Sequence, residues 1–407
     1  MSLTYGELHR RWNQWRSAPR WSAVLLIFVQ MTSGMRDMPQ GAFFLIYLQE
    51  QLRLTPATIS GVVAGAQVAG MVAALVGGAM AARLGSKWVL ACGLALAGVS
   101  SLVFQVHWLW LVVILWCIGG VGSALSLVGG ASYLTRLTAR GAMGILAALY
   151  VLSLTIGGSV GNPIAGVLIE QRGFGAFGWA AMALSVVAVL VVALVMAHLG
   201  DRAPEPVSMR TFWMNAVPAG RGTKVHLLIG LRSLPTIFYG MLTVLMPLLI
   251  NNLSGSKVTV AAYVTTTLIV ASGAQLLAGR TADRTGARLP TLVAYSAIIL
   301  AGLGLAASAG TLWGLFVFGV LGTAAAWSLS TLMYVWITDG VPKADHPRTF
   351  GLLHAVWSLS MISGSLLGGW LVLSAPGLPF LVGGLVNIGA LFLTIAYYAP
   401  VTAIQSS

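Results

Sequence analysis

Two stretches 201 residues apart decide how this chain is read: GAMAARLGSK from Gly78 to Lys87, and GRTADRTGAR from Gly279 to Arg288. Gly78 matches Gly279, Arg83 matches Arg284, Gly85 matches Gly286 and Lys87 matches Arg288. Each copy is a short polar connection between two long apolar runs. A period near half the chain length means two structurally similar halves.

The surrounding composition says what medium those halves occupy. Of the 407 residues, 58% are apolar and 8% are charged. A soluble domain carries about a quarter charged residues, so this chain belongs in a bilayer. Its 49 glycines suit close helix packing in lipid, where small residues let backbones approach. The net charge of +13 invites a nucleic-acid reading, but the basic residues lie almost entirely in the connections. That is orientation charge, and it excludes nucleic acid as the expected partner. Cys92 and Cys117 fall within apolar runs and read as core thiols, with no metal site expected.

A span needs about 20 apolar residues. Twelve such runs are expected, at 22–48, 58–81, 87–105, 108–133, 142–169, 175–199, 226–250, 258–279, 289–308, 311–338, 349–374 and 378–399. The longest polar connection, 200–225, divides them into two groups of six. The expected organisation is therefore an N-terminal bundle (1–199), a linker (200–225) and a C-terminal bundle (226–407). Residues 1–20, with Arg10, Arg11, Arg16 and Arg20, read as an interfacial helix rather than a cleaved signal, since a full-length apolar span follows. Seventeen Lys and Arg residues collect on one side; only Arg53, Arg172 and Lys257 fall on the other. The imbalance puts both termini and the linker in the cytoplasm, and the protein in the inner membrane. Paired halves in a membrane protein suggest rocking about a central site, which is transporter behaviour.

Twelve spans, a six-plus-six division and the repeated loop motif together resemble the major facilitator superfamily over essentially the whole chain. The resemblance implies an all-α membrane protein of twelve transmembrane helices in two pseudo-symmetric six-helix bundles, working by alternating access as a monomer without a cofactor. It also implies that the loop residues Arg83, Lys87, Arg140, Asp283, Arg284 and Arg288 take part in gating. In the family, an Asp precedes the Arg of the motif. The second copy has Asp283, whereas the first has Ala82, so the latch of the first half is weakened or rebuilt. GGSVGNPIAG, from Gly157 to Gly166, is similar to the glycine-proline motif of proton-coupled exporters of the superfamily, except that Asn162 separates Gly161 from Pro163. The alternative for these glycines is close helix packing, with Pro163 bending the span.

Charge at bilayer depth is costly, so each such residue is a functional candidate. Asp37 is the one acidic residue near the middle of an expected span and is the candidate for proton coupling. Arg36 and Arg232 share the local pattern G-x-R-x-x-P, in GMRDMP at 34–39 and GLRSLP at 230–235. Both are candidates for binding an anionic group, since a guanidinium matches carboxylate or phosphate. Arg36 and Asp37 are sequence neighbours, about 100° apart on a helix, and need not pair. His354 reads as a packing residue or a proton relay. Gln67, Asn162, Tyr150, Tyr239, Tyr263, Trp327 and Trp357 are candidates to line a solute cavity, with Gln275 and Asn387 as further polar groups. No phosphate loop, HExxH or GxSxG motif is present, so catalysis is not expected. The expected function is proton-coupled secondary transport of a small organic solute, anionic or amphipathic. Multidrug efflux by proton antiport and lipid translocation are the alternatives on the same fold.

Overall fold

The fold is taken from a computed structural model, which describes residues 19–137, 143–197, 223–342 and 346–398. The expected N-terminal interfacial helix, Arg140 and nearly all of the linker lie outside the described residues.

Helix α1 runs Pro19–Glu50, α2 Pro56–Leu84 and α3 Ser86–Ser100, extended by a 3₁₀ turn Ser101–Gln105. Helix α4 spans Leu109–Leu137. The next run, Met143–Leu190, is hydrogen-bonded almost throughout but breaks at Gly173, whose φ of 81° is not helical. We divide it into α5 (143–172) and α6 (174–190), followed by a π turn Val191–Val195. Then come α7 Thr223–Ser254, α8 Lys257–Thr285, α9 Arg288–Ser308, α10 Leu312–Gly340, α11 His346–Leu371 and α12 Leu378–Tyr397. Twelve spans were expected, and with Met143–Leu190 divided at the non-helical Gly173 the described residues form twelve helices. Ten described segments are long and apolar enough to cross a membrane, Leu146–Val195 counting as one of them. Pro19–Glu50 is a further long helix.

Local chemistry sets several boundaries. Pro56 opens α2, where a missing N–H costs nothing. The Ser256 side chain caps α8 by accepting from the Thr259 N–H at 3.3 Å. Large apolar side chains face outward, among them Trp313, Trp370, Leu276 and Phe392. In water such surfaces would aggregate; on a multi-pass membrane protein they meet lipid.

The two loop motifs adopt the same backbone turn. Gly85 lies between α2 and α3 with φ 89° and ψ 140°. Gly286 lies between α8 and α9 with φ 78° and ψ 162°. Side chains other than hydrogen are strained in that region. Gly85→Ala and Gly286→Ala should therefore each cost about 1–3 kcal/mol. Gly78→Ala should be silent, because nothing lies within 4 Å of a Cβ added there. Thermal unfolding of the three variants in detergent checks the contrast.

Close approaches within each bundle also rest on glycine. A Cβ on Gly157 would collide with the Met31 carbonyl oxygen, and one on Gly161 with that of Met35, so α5 lies backbone-to-backbone against α1. Gly364 meets the Ile237 carbonyl in the same way, joining α11 to α7. Gly157 and Gly161 thus act in packing, with Gly364 as a counterpart in the second half.

The described residues cluster into two compact units. The first holds residues 19–44 and 65–197; the second holds 45–64 and 223–398. The end of α1 and the start of α2 therefore belong with the second unit. There Lys257 Nζ donates to Glu50 Oε1 at 2.6 Å and to Asn251 Oδ1 at 3.0 Å. Asn251 Nδ2 donates to the same Glu50 oxygen at 2.8 Å, closing a polar triangle.

Candidate functional site

The second unit contains a cavity of about 340 Å³. Helix α7 contributes Arg232, Pro235, Thr236 and Tyr239, at spacing i, i+3, i+4 and i+7, which is one helix face. Gln275 comes from α8, Ala326, Trp327 and Ser330 from α10, and His354 and Trp357 from α11. Six residues singled out from the sequence thus meet in one place: Arg232, Tyr239, Gln275, Trp327, His354 and Trp357.

Arg232 is 9% exposed. Its Nη1 donates to Ser330 Oγ at 2.9 Å. Its Nε–H is buried and has no hydrogen-bond partner. Among the described residues, no carboxylate lines the cavity. A buried cation without counter-charge is a costly arrangement, and an incoming anion is what would relieve it. The walls are aromatic. His354 and Trp357 stack at i and i+3, with ring centroids 5.6 Å apart and planes 20° apart. Gln275 Nε2 donates to the Trp327 carbonyl at 3.3 Å, fixing the amide beside that indole. Thr236 is committed to the Arg232 carbonyl at 2.7 Å. His354, read from sequence as packing or relay, opens onto the cavity.

The first unit places Arg36 differently. It is 1% exposed and pairs with its neighbour Asp37, Nε donating to Oδ1 at 2.7 Å. Nη2 lies 2.7 Å from the same oxygen, and Nη1 donates to Ser185 Oγ. Helical geometry does not oblige neighbours to pair; here the length of the arginine side chain allows it. The Asp37 side chain is 31% exposed, so the pair is buried at one end and open at the other. Both G-x-R-x-x-P arginines are therefore buried and bonded to a serine of another helix. They differ in the next residue, Asp37 against Ser233, and so in whether the cation has a counter-ion.

The remaining candidates are dispersed. Tyr263 is buried and packs edge-on against Phe316, with centroids 5.4 Å apart, away from the cavity lining. Tyr150 is 5% exposed, with its hydroxyl against Gly130. Asn162 is 1% exposed, and neither of its amide atoms has a hydrogen-bond partner. Gln67 has a buried, unpartnered Oε1. Of the gating candidates, Arg83, Asp283, Arg284 and Arg288 are exposed. Lys87 is 5% exposed and donates to the carbonyls of Ala193 at 3.0 Å and Met196 at 2.8 Å. It closes the end of the α6 segment, where unpaired carbonyls favour a cation. The matching residues Lys87 and Arg288 thus have different surroundings.

Sequence reasoning gave no weight to Ser330, Thr236 or Pro235. The i, i+3, i+4, i+7 set on α7 was the available signal, and it was hidden because α7 is apolar on its other faces as well.

The family model described as the Major Facilitator Superfamily matches residues 25–339 and again 236–406. No curated protein matches the sequence. Among solved structures, the nucleoside transporter NupG is similar with a TM-score of 0.76 at 15% identity, covering 94% of this chain and 99% of that one. A bacterial homologue of the human lysosomal transporter Spinster, inward-facing and occupied, is similar with a TM-score of 0.73 at 14% identity, over 94% and 97% of the two chains. At those identities the likeness is one of fold.

Proposed function

The chain belongs to the major facilitator superfamily, a family of transporters, and from that premise we propose that it is a proton-coupled secondary transporter of a small organic solute. It works by alternating access, as a monomer, in the inner membrane with both termini cytoplasmic. The observation that carries this reading is the cavity of the second unit, where buried Arg232 has no acidic partner among the described residues and aromatic side chains supply the walls. That chemistry favours solutes bearing negative charge. It disfavours the multidrug-efflux alternative for cationic drugs, which would need a carboxylate where the arginine stands. The volume is small for a lipid.

Asp37 carries the coupling proton in this scheme. Its carboxylate is reachable and paired to buried Arg36, so protonation breaks the pair and frees a cation inside the bundle. That local change is what couples a proton to a conformational equilibrium. The test is transport in proteoliposomes over a panel of organic anions, sugars, nucleosides and lipophilic cations, with and without an imposed pH gradient. Accumulation of an anionic solute above its equilibrium level, abolished by a protonophore, supports the reading. Gradient-independent equilibration, or transport confined to cations, defeats it.

Gating is assigned to the loop motifs. Asp283, the one Asp retained by the two copies, is exposed near the end of α8. Asp283→Ala should shift the population toward inward-open and slow turnover more than it weakens solute binding. Spin-label distances across the cytoplasmic mouth read the shift; unchanged distances and an unchanged transport rate defeat the gating role.

A further inference from the structure

We infer that the solute of the Arg232 cavity is a planar aromatic monocarboxylate. The inference rests on the transport reading above, because it assumes that this cavity is the solute site.

Three features select the class. The first is charge. Arg232 is the one permanent cation in the lining, and no carboxylate is present among the described lining residues. One guanidinium neutralises one anionic group, so a singly charged ligand leaves no excess. The second is donor geometry. Nη1 is held by Ser330, which fixes the plane of the guanidinium, while the Nε–H is buried and unpartnered. A carboxylate oxygen satisfies that donor in the plane the serine defines. The third is the wall. Trp327, Trp357 and Tyr239 are rigid flat surfaces, and His354 stacks on Trp357, holding its orientation. Such walls bury a flat ring over its whole face at little entropic cost, whereas a flexible chain or a puckered ring meets them edge-on. A cavity of about 340 Å³ is at the small end for ligand sites, which fits one or two fused rings.

The test is equilibrium binding to the purified chain in nanodiscs, by calorimetry and by tryptophan fluorescence. The probes are benzoate, cyclohexanecarboxylate, benzamide, phenyl phosphate and benzylamine. Benzoate should bind tightest. Benzamide keeps the ring and loses the charge, and should bind about 10–100-fold more weakly. Cyclohexanecarboxylate keeps the charge and loses the flat ring, and should bind about 3–10-fold more weakly. Arg232→Lys should weaken benzoate binding about tenfold, because the planar fork is lost while the charge stays. Trp357→Leu should remove the preference for benzoate over cyclohexanecarboxylate and leave the preference over benzamide intact.

Benzamide or benzylamine binding as tightly as benzoate overturns the charge assignment. Phenyl phosphate binding more tightly than benzoate overturns the monoanion. Equal binding of benzoate and cyclohexanecarboxylate, or no binding of any probe by folded protein, overturns the aromatic class. The wild-type comparison stands even where a variant fails to fold. If benzoate binds through Arg232 but never crosses a reconstituted membrane, the ligand class holds and the transport reading fails. If another solute is transported and benzoate neither binds nor competes, transport holds and the ligand class fails.

Discussion

Asp37→Asn is expected to abolish proton-driven accumulation of the solute while solute exchange across the membrane survives in part. Asparagine keeps the size of the side chain and can neither bind nor release the coupling proton. Exchange of solute for solute needs the cavity to face each side alternately but needs no net proton movement, so it reports on the rest of the machine. The substitution has a structural consequence as well. Arg36 is 1% exposed and loses its ionic partner, keeping the bond to Ser185 and a neutral amide acceptor in place of the carboxylate. Breaking a fully buried pair costs about 3–5 kcal/mol. The cost here is lower, because the Asp37 end of the pair is open. The double variant Arg36→Gln, Asp37→Asn removes the stray charge and separates the two effects. It should fold like the parent and still lack coupling. Restored proton-driven accumulation in the double variant would assign the coupling proton elsewhere.

Gly157→Leu is expected to prevent assembly of the first bundle. A Cβ alone would collide with the Met31 backbone carbonyl, which is part of α1 and cannot rotate away. The helices must separate, and the neighbouring contact of Gly161 with Met35 is lost with the first. Overpacking costs about 1–3 kcal/mol where side chains can adjust; here backbone must move, and the cost exceeds that range. Gly78→Leu is the control, since that glycine has open space around it. Size-exclusion profiles in mild detergent should show aggregated protein for Gly157→Leu and the parental peak for Gly78→Leu. A monodisperse, transport-competent Gly157→Leu protein would show that α1 and α5 are not held by this contact. It would reopen the exporter-motif reading of the 157–166 stretch.

The parts of the fold that were legible in the sequence are those fixed by backbone chemistry and charge. The positive φ at both Gly85 and Gly286 follows from two glycines placed in register. Apolar length set most spans. It also placed the break between the fifth and sixth spans, where Gly173, at φ 81°, turns the chain just after Glu170, Gln171 and Arg172. The site was legible in part. RD at 36–37 against RS at 232–233 already distinguishes the paired arginine from the unpaired one, although the pairing itself depends on a side-chain rotamer. Which aromatics would line the cavity was not readable. On a soluble helix, the polar face marks the outside; in lipid both faces are apolar, and the period that would separate Tyr239 from Tyr263 vanishes. Ser330 was passed over, and His354 was left between packing and relay, for a related reason: a single polar side chain in an apolar run looks the same whether it bonds a neighbouring helix or faces a cavity.

The central claim is that solute movement and proton movement are coupled in this chain. The most direct measurement is the internal pH of proteoliposomes, followed by an entrapped dye while a solute gradient is imposed in the absence of any initial pH difference. Solute entry should change the internal pH in proportion to the solute moved, toward acid for symport and toward alkaline for antiport, and Asp37→Asn should erase the pH change. Solute entry with no change in internal pH in the unmodified protein would contradict the account.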